Sequence, residues 1–261
     1  MLAFYAECFD TLEINFTYYR LPDPRTLEAM DRKAGGAVTF CVKAHAGMTH
    51  RRDDLQSAAP AFREAIRVLE DRRSLGCVLA QFPYSFRNTQ ESREHLLRLR
   101  EALTGVPLVV EFRHASWYTP AVFDSLRKQR MGLCCVDEPE LPKLPPRVVA
   151  ATSDVGYARF HGRSAETWWK HQEASERYDY LYTEEELKEW VPKIRTLAGT
   201  THVTFLFFNN HPRGKAPANA YMMRHHLGLP AGKMPKALAE HFPALKAFSP
   251  APFAPGKLPL S

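Results

Sequence analysis

Apolar, strand-like runs that end in polar side chains recur seven times along this chain. They cover residues 11–15, 38–43, 76–81, 108–114, 132–137, 156–161 and 203–210. A run that is apolar at nearly every position is typical of a parallel strand buried on both faces. Because the polar groups collect at the carboxyl ends of the runs, we expect them to converge on one face of a sheet or barrel. In α/β folds that face holds the ligand.

Helical patterns lie between the strand runs. Residues 59–72 place Phe62, Ile66 and Leu69 on one face of a helix. Thr183 and Glu186 form a capping-box pattern at the start of another. The predicted helices cover residues 24–34, 59–72, 91–103, 120–129, 183–197, 216–227 and 236–248. Strands that alternate with helices through short connections predict a parallel α/β sheet.

The number of strand runs restricts the architecture. A (β/α)₈ barrel needs eight strands, and the chain shows seven. Only about ten residues precede the first run, too few for another strand and helix. Either the sheet is open, or the first strand of an eight-stranded barrel is missing from the N-terminus.

Two connections interrupt the alternation. Residues 138–152 are rich in proline and are predicted to be extended, and residues 162–182 form a long loop dense in aromatic side chains. Loops of this length inside a compact domain are often functional. Trp168 and Trp169 either form a lid that stacks on a ligand or pack as a small aromatic core on the rim, and we favour packing.

Composition and charge limit the classes of binding partner that we expect for this protein. The net charge is +6, but the basic residues are spread along the chain, which favours a solvated basic surface over a nucleic-acid stripe. An anionic small molecule fits this charge equally well.

The sequence also bears on the location of the protein. No apolar stretch approaches the ~20 residues of a membrane span, and no secretory signal is recognisable. The five cysteines are odd in number and lack a CxxC spacing, so we expect free thiols and a cytoplasmic location.

Eight motifs together resemble a known family. They read FYAECFDTLEINFTYYRLP, FCVKA, VLAQFPYSF, VEFRHASWY, CCVDEP, YARFHGR, YDYLYTEEEL and FFNNHPRGKAPANA. In this order, over roughly residues 4–228, they are similar to the YecE-like family, also called domain-of-unknown-function family 72. The resemblance implies a TIM-type (β/α) barrel, and it supplies no established reaction.

The chain departs from that family at its start. Members open with a strand and loop of Gly-Thr-Ser-Gly-Trp type, which this chain lacks. We therefore expect a barrel with its first strand missing or truncated, as after a start at an internal Met. Such a barrel would leave unpaired edges beside residues 11–15 and 203–209. The predicted organisation is one barrel domain over 1–228, followed by a helix and Pro-rich tail over 229–261, whose helix can partly cover the gap.

Glu111, Arg113 and His114 form the sharpest polar cluster. Alternation puts Glu111 and Arg113 on the same side of their strand. They either bind an anionic substrate or form a buried pair that fixes the barrel register. His114 follows the strand, as a base or as an exposed loop residue.

A second cluster combines Arg159 and His161, again two residues apart and followed by Gly162. Glycine lets the backbone approach a ligand closely. We assign acid/base catalysis to Glu111 or Asp137 together with His161, and ligand binding to the arginines.

Some of these residues have an alternative role as ligands of a divalent metal. Glu13, Glu111, Asp137 and His161 lie at strand ends, as in metal-dependent barrels. Nearby Lys43 and the arginines would repel a cation, so we favour a site with no metal and identify no other cofactor.

Glu13 and Asn15 share one face of their strand, and we assign them to substrate binding. We assign Lys43 to the same role, since it can pair with a carboxylate or act as a base.

The last strand run leads into Asn209, Asn210, Lys215 and Asn219. Amides and a lysine near a helix N-terminus suit an anion, often phosphate in such barrels. The alternative is a loop whose Asn side chains cap backbone groups.

Three functions follow from these patterns. The first is a small-molecule enzyme of hydrolase, isomerase or lyase type that acts on an anionic or polyhydroxylated substrate. The others are a nucleic-acid-binding or nuclease-like protein and a non-catalytic ligand-binding scaffold. For the enzyme, Glu111→Gln and Arg159→Ala should abolish turnover with little change in melting temperature, whereas severe unfolding of both would indicate a structural pair. The sequence does not specify the oligomeric state.

Overall fold

Seven parallel strands form a nearly closed barrel in the computed structural model, which describes residues 1–52, 54–173, 175–230 and 232–248. Each strand pairs with the next along the chain, in the order β1 to β7. The strands are β1 Thr11–Ile14, β2 Thr39–Lys43, β3 Leu75–Gln81, β4 Leu108–Glu111, β5 Met131–Asp137, β6 Val155–Phe160 and β7 Val203–Phe208. All seven predicted strands are present, and β1 and β7 form the two edges, as predicted.

Helices surround the barrel. They are α1 Leu2–Ala6, α2 Pro24–Ala34, α3 Ala46–Thr49, α4 Leu55–Asp71, α5 Gln90–Ala102, α6 Pro120–Lys128, α7 Ala165–Trp169, α8 Glu184–Ala198, α9 Lys215–Leu227 and α10 Lys236–His241. The predicted helix over 236–248 ends early and continues as a 3-10 helix, Pro243–Phe248. The short helices α1, α3 and α7 were not predicted, because four or five residues carry too little periodicity to detect.

Local sequence fixes the ends of the longer helices. The Asp23 side chain accepts a hydrogen bond from the Arg25 amide at the start of α2, and Gly35 ends it with φ of 63°. The predicted capping box of Thr183 and Glu186 is present at the start of α8.

The apolar side chains of the strands form two clusters, one inside the barrel and one between the strands and the surrounding helices. The interior cluster contains Cys41, Cys77, Leu79, Val109, Cys134, Val136, Tyr157 and Phe205. The alternate residues of the first four strands pack outward against the helices, and they include Phe40, Val42, Val78, Ala80 and Val110. This period of two decides which polar side chains face the interior. The five cysteines are free and buried, as expected.

The gap between β1 and β7 lies beside α1. Phe4, Tyr5 and Phe9 line a cavity there together with Phe207 and Pro217. The tail packs nearby, since Leu238, Phe242, Leu245 and Phe248 cluster with Phe9 and with Tyr221 of α9. No helix in the described ranges is long and apolar enough to cross a membrane. The division of the chain into a barrel domain over 1–228 and a separate tail over 229–261 stays a prediction.

Candidate functional site at the carboxyl ends of the strands

Alternation along the strands brings several polar side chains to one end of the barrel. The inward positions continue two residues past the interior cluster toward the carboxyl end of each strand. They are occupied by Lys43 on β2, Gln81 on β3, Glu111 on β4 and Arg159 on β6. Glu13 joins them from β1. These side chains form the upper layer of the barrel interior, which we call the mouth.

Glu111 is the centre of the ion-pair network in the mouth. Its carboxylate is fully buried, and it lies 2.6 Å from Arg113 Nε and 2.6 Å from an Arg159 terminal nitrogen. Burial acts to raise the pKa of Glu111, but Arg113, Arg159 and His161 lower it well below the ordinary value. Glu111 is therefore a fixed negative charge between two guanidinium groups.

Arg159 links Glu111 to the first strand. Its other terminal nitrogen donates to Glu13 Oε1 at 2.7 Å, and the Tyr157 hydroxyl donates to Glu13 Oε2 at 2.7 Å. The Asn15 side-chain amide also donates to Glu13, at 3.0 Å. The network thus crosses the barrel from β4 through β6 to β1.

Arg113 contacts a carboxyl group that the sequence did not suggest. Its NH1 group donates to Glu138 Oε2 at 3.1 Å, and Glu138 is fully buried. Burial raises the pKa of Glu138 to about 8, and the Arg113 charge only partly offsets this effect. Glu138 faces inward because it follows Val136 by two residues, which is a signal that alternation could have supplied.

His161 is buried beside Arg113 and Glu111. Its Nε2 atom lies 3.1 Å from a terminal nitrogen of Arg113 and 3.3 Å from Glu111 Oε1, and the Asn209 amide nitrogen lies 3.2 Å from Nδ1. The ring is therefore held between the ion-pair network and the residue that follows the end of β7. Burial and the Arg113 charge lower the pKa of His161 to about 3, so the ring is neutral at neutral pH.

Lys43 is the cation of the mouth that has no carboxylate partner. No Asp or Glu oxygen in the described residues lies within 4.0 Å of its amine, whereas Arg113 and Arg159 each contact two carboxylates. The Lys43 amine instead lies 4.7 Å from the centre of the Tyr18 ring. Burial, followed by the charge of Arg159, lowers the pKa of Lys43 to about 8.

An open cavity of about 440 Å³ lies directly over this network. Its polar lining includes six of the predicted site residues, Glu13, Asn15, Lys43, Arg113, Arg159 and Asn209. It also includes Gln81, Tyr178, Tyr19 and His211. Tyr178 comes from the aromatic loop, so that loop contributes to the wall of the cavity.

Asp137 points away from the mouth. It follows inward-facing Val136 by one residue and therefore faces the helices. Its carboxylate accepts hydrogen bonds from Trp190 Nε1 at 2.5 Å and from the Tyr182 hydroxyl at 2.8 Å, and Arg163 lies 2.8 Å away. The structure thus does not bring Asp137 together with Glu111 and His161.

Of the four residues predicted to bind an anion after β7, two are engaged in backbone contacts. Asn210 donates to the Tyr180 carbonyl oxygen at 2.7 Å, and Asn219 donates to that of Tyr182 at 2.9 Å. Lys215 forms an ion pair with Asp179 at 2.7 Å. Asn210 and Asn219 therefore fix the 180–182 segment, which is the capping alternative considered above.

His114 also lies outside the mouth. Its Nδ1 atom accepts from the Ser116 amide, and its ring lies 5.2 Å from that of Tyr84. Of the two loop tryptophans, Trp168 is buried while Trp169 is 49% exposed. The packing interpretation therefore fits Trp168.

A metal-ligand set is not assembled in the described ranges. No three His, Cys, Asp or Glu side chains there are arranged to hold a metal ion. Of the ligands considered from the sequence, Asp137 faces the helices, and Glu13 and Glu111 are already bound to guanidinium groups. The site without a metal stays a prediction.

The barrel and its charged mouth define a protein of the parallel α/β barrel class with a polar cavity at the carboxyl ends of its strands. Residues 1–244 match the family model described as "Protein of unknown function DUF72". The chain belongs to this family, which confirms the resemblance found in the sequence.

Individual relatives agree with this assignment. The chain is 29% identical over 238 residues to the UPF0759 protein YunF of Bacillus subtilis (strain 168), covering 85% of this chain and 84% of the relative. A DUF72 family protein from Thermotoga maritima superposes with a TM-score of 0.77 at 38% identity, covering 84% and 85% of the two chains. A DUF72 family protein from Enterococcus faecalis gives a TM-score of 0.82 at 24% identity, covering 90% and 92%. These structures confirm the TIM-type fold.

Proposed function

We propose that the mouth of the barrel binds a small anionic or polyhydroxylated molecule. The observation that carries this proposal is Lys43, a cation that lines the cavity without a carboxylate partner among the described residues. Lys43 is partly buried, and a charge that is partly removed from water is most stable when it is paired or hydrogen-bonded. A ligand anion would supply the missing partner.

The charge balance of the mouth supports an anion over a cation. Three basic side chains, Lys43, Arg113 and Arg159, face two acidic ones, Glu13 and Glu111. Glu138 is the remaining carboxyl group, and its pKa of about 8 keeps it mostly protonated at neutral pH. The mouth therefore has an excess of positive charge, which attracts anions through a cleft with low-dielectric walls.

Neutral groups complete the wall. Asn15, Gln81, Asn209 and Tyr178 line the cavity and offer both donors and acceptors. Such groups suit the hydroxyl or carbonyl oxygens of a small polar ligand better than an apolar molecule. They fix orientation, while the cations supply attraction.

For acid/base chemistry, the environment favours Lys43 over Glu111 and His161. A catalytic acid or base works best when its pKa lies near the operating pH, and that of Lys43 is about 8. The pKa of His161 is about 3, and that of Glu111 is well below its ordinary value, so both stay in one charge state near neutral pH. The catalytic roles of Glu111, His161 and Asp137 stay predictions.

Calorimetric titration with inorganic phosphate at constant ionic strength tests this proposal. Lys43→Met should weaken binding about tenfold or more, corresponding to about 1.4 kcal/mol or more. Lys43→Arg keeps the charge and should bind. Lys188→Met is the matched control, because Lys188 is exposed on α8 and pairs with Glu184. Equal affinity of Lys43→Met and the parent protein would contradict the proposal.

A further inference from the structure

Lys43 occupies a fixed position at the end of an interior strand. It is the last residue of β2, and its carbonyl oxygen accepts a hydrogen bond from Thr17 Oγ1 at 2.6 Å. The backbone of the next residue, Ala44, donates to the Leu79 carbonyl oxygen of β3 at 2.9 Å. These bonds hold the base of the side chain rigidly, so its amine reaches the cavity from a defined point.

The amine itself has no hydrogen bond or ion pair to another residue in the described ranges. It lies over the face of the Tyr18 ring, 4.7 Å from the ring centre, in a cation–π contact that uses none of its three donors directionally. Carboxylates sequester the neighbouring guanidinium groups of Arg113 and Arg159. Lys43 is thus the primary amine in the described lining of the cavity that is free to approach a ligand atom.

The surrounding charges favour the uncharged form of this amine. Burial is the main cause of its lowered pKa, and the cations Arg159 and Arg113 add to it, while Glu111 and Glu13 oppose it. A primary amine is nucleophilic only when it is unprotonated. Near pH 8, a large fraction of Lys43 has the free lone pair that nucleophilic attack requires.

We infer that Lys43 is a nucleophile that forms an imine with an aldehyde or ketone bearing an anionic group. This inference rests on the proposed function, because the same mouth would hold the anionic group. The amide side chains of Asn15, Gln81 and Asn209 lie in the same wall and can donate to the carbonyl oxygen. Lys43 then acts at the reacting atom as well as in ligand binding.

The reaction balances without an additional reagent. The unprotonated amine adds to the carbonyl carbon, a C–N bond forms, and the carbonyl π electrons move to oxygen, which takes up a proton. The nitrogen loses a proton, the hydroxyl group takes up the proton that the ammonium form of Lys43 had released, the C–O bond breaks, and water leaves. In total, the ammonium form of Lys43 and the carbonyl compound give a protonated imine and one water molecule. Neither partner is oxidised or reduced.

Reductive trapping tests the inference. The full chain is incubated with pyruvate and sodium cyanoborohydride near pH 8, and the modified lysine is located by mass spectrometry of peptides. We expect one reduced pyruvate per chain, on Lys43, formed at least about tenfold faster than on exposed Lys188, which lacks a shielded, cationic environment. Modification spread evenly over the surface lysines would overturn the inference.

Two substitutions separate this inference from the proposed function. Lys43→Arg keeps a cation but cannot form an imine, so it should bind propionate, a carboxylate without a carbonyl, and give no trapped product. Lys43→Met should lose both. If the parent protein binds propionate but gives no adduct on Lys43, the imine fails and anion binding stands. If it gives the adduct with acetaldehyde as readily as with pyruvate and does not bind propionate, the anionic part of both proposals fails.

Discussion

Replacement of Glu111 by Gln tests the ion-pair network of the mouth. The Glu111 carboxylate is fully buried and contacts Arg113, Arg159 and His161. Gln keeps the shape but removes the charge. Arg159 would retain Glu13, whereas the carboxyl partner left to Arg113 in the described ranges would be Glu138, which is mostly protonated at neutral pH.

The expected loss of stability is large. Removing one partner of a buried ion pair costs about 3–5 kcal/mol, because it leaves an uncompensated charge. For a chain of this size, that corresponds to a fall in melting temperature of roughly 6–20 °C. The structure therefore favours severe unfolding, the outcome that the sequence analysis linked to a structural pair.

Urea unfolding followed by tryptophan fluorescence measures this loss. The matched control is Glu64→Gln, an exposed glutamate of α4 that pairs with Arg67, and it should change the free energy of unfolding by less than about 0.5 kcal/mol. The pKa of Glu111 is lowered in the folded state, so its contribution is present above the ordinary value of 4.5 and is lost as the pH falls through the folded pKa.

A change below about 1 kcal/mol for Glu111→Gln at pH 7 would refute this reasoning, because it would place the pair among weak surface ion pairs. A loss that stayed constant below pH 4.5, in a protein that is still folded there, would also contradict it. The first result would mean that other groups compensate the buried charge, and the second that folding does not lower the pKa of Glu111.

Two further predictions concern the other buried carboxyl groups. The pKa of Glu138 is raised to about 8, so the folded state holds a proton that the unfolded chain releases. Stability should therefore fall by about 1.4 kcal/mol per pH unit between roughly pH 4.5 and 8. Glu138→Gln should remove this fall in urea unfolding, and parallel pH curves would contradict the prediction. Asp137→Asn should lower the free energy of unfolding by about 3 kcal/mol, because it weakens buried contacts to Trp190 and Arg163. Its folded form should bind phosphate like the parent protein, whereas a loss of binding would support the role predicted from the sequence.

The site could be predicted only in part. Glu13, Asn15, Lys43, Arg113, Arg159 and Asn209 line the cavity, as their positions at strand ends indicated. Asp137 and Asn210 also follow apolar runs, yet each lies one residue out of phase with the inward positions of its strand. Their side chains consequently face the helices. A one-residue shift reverses the direction of a side chain, so strand-end position alone cannot locate it.

The charge states of the site residues follow from the packing of the whole barrel and could not be predicted from the sequence. His161 and Glu111 carry the residue types of an acid/base pair, but burial among Arg113 and Arg159 fixes one as neutral and the other as ionised. The same cations and the same burial bring the pKa of Lys43 to about 8. The residues involved come from strands far apart in the chain, so no local pattern contains this information.

The sequence by itself determined the seven strands, their order of alternation with helices and the end of the barrel where polar groups gather. It could do so because hydrophobic periodicity and helix capping are local properties. Only the tertiary structure decided which polar groups meet, which are neutralised by partners, and which cation of the mouth has no carboxylate partner in the part of the chain that the structure describes. Those properties depend on distances between β1, β2, β4 and β6 across the barrel, and on the loss of water when the barrel closes around them.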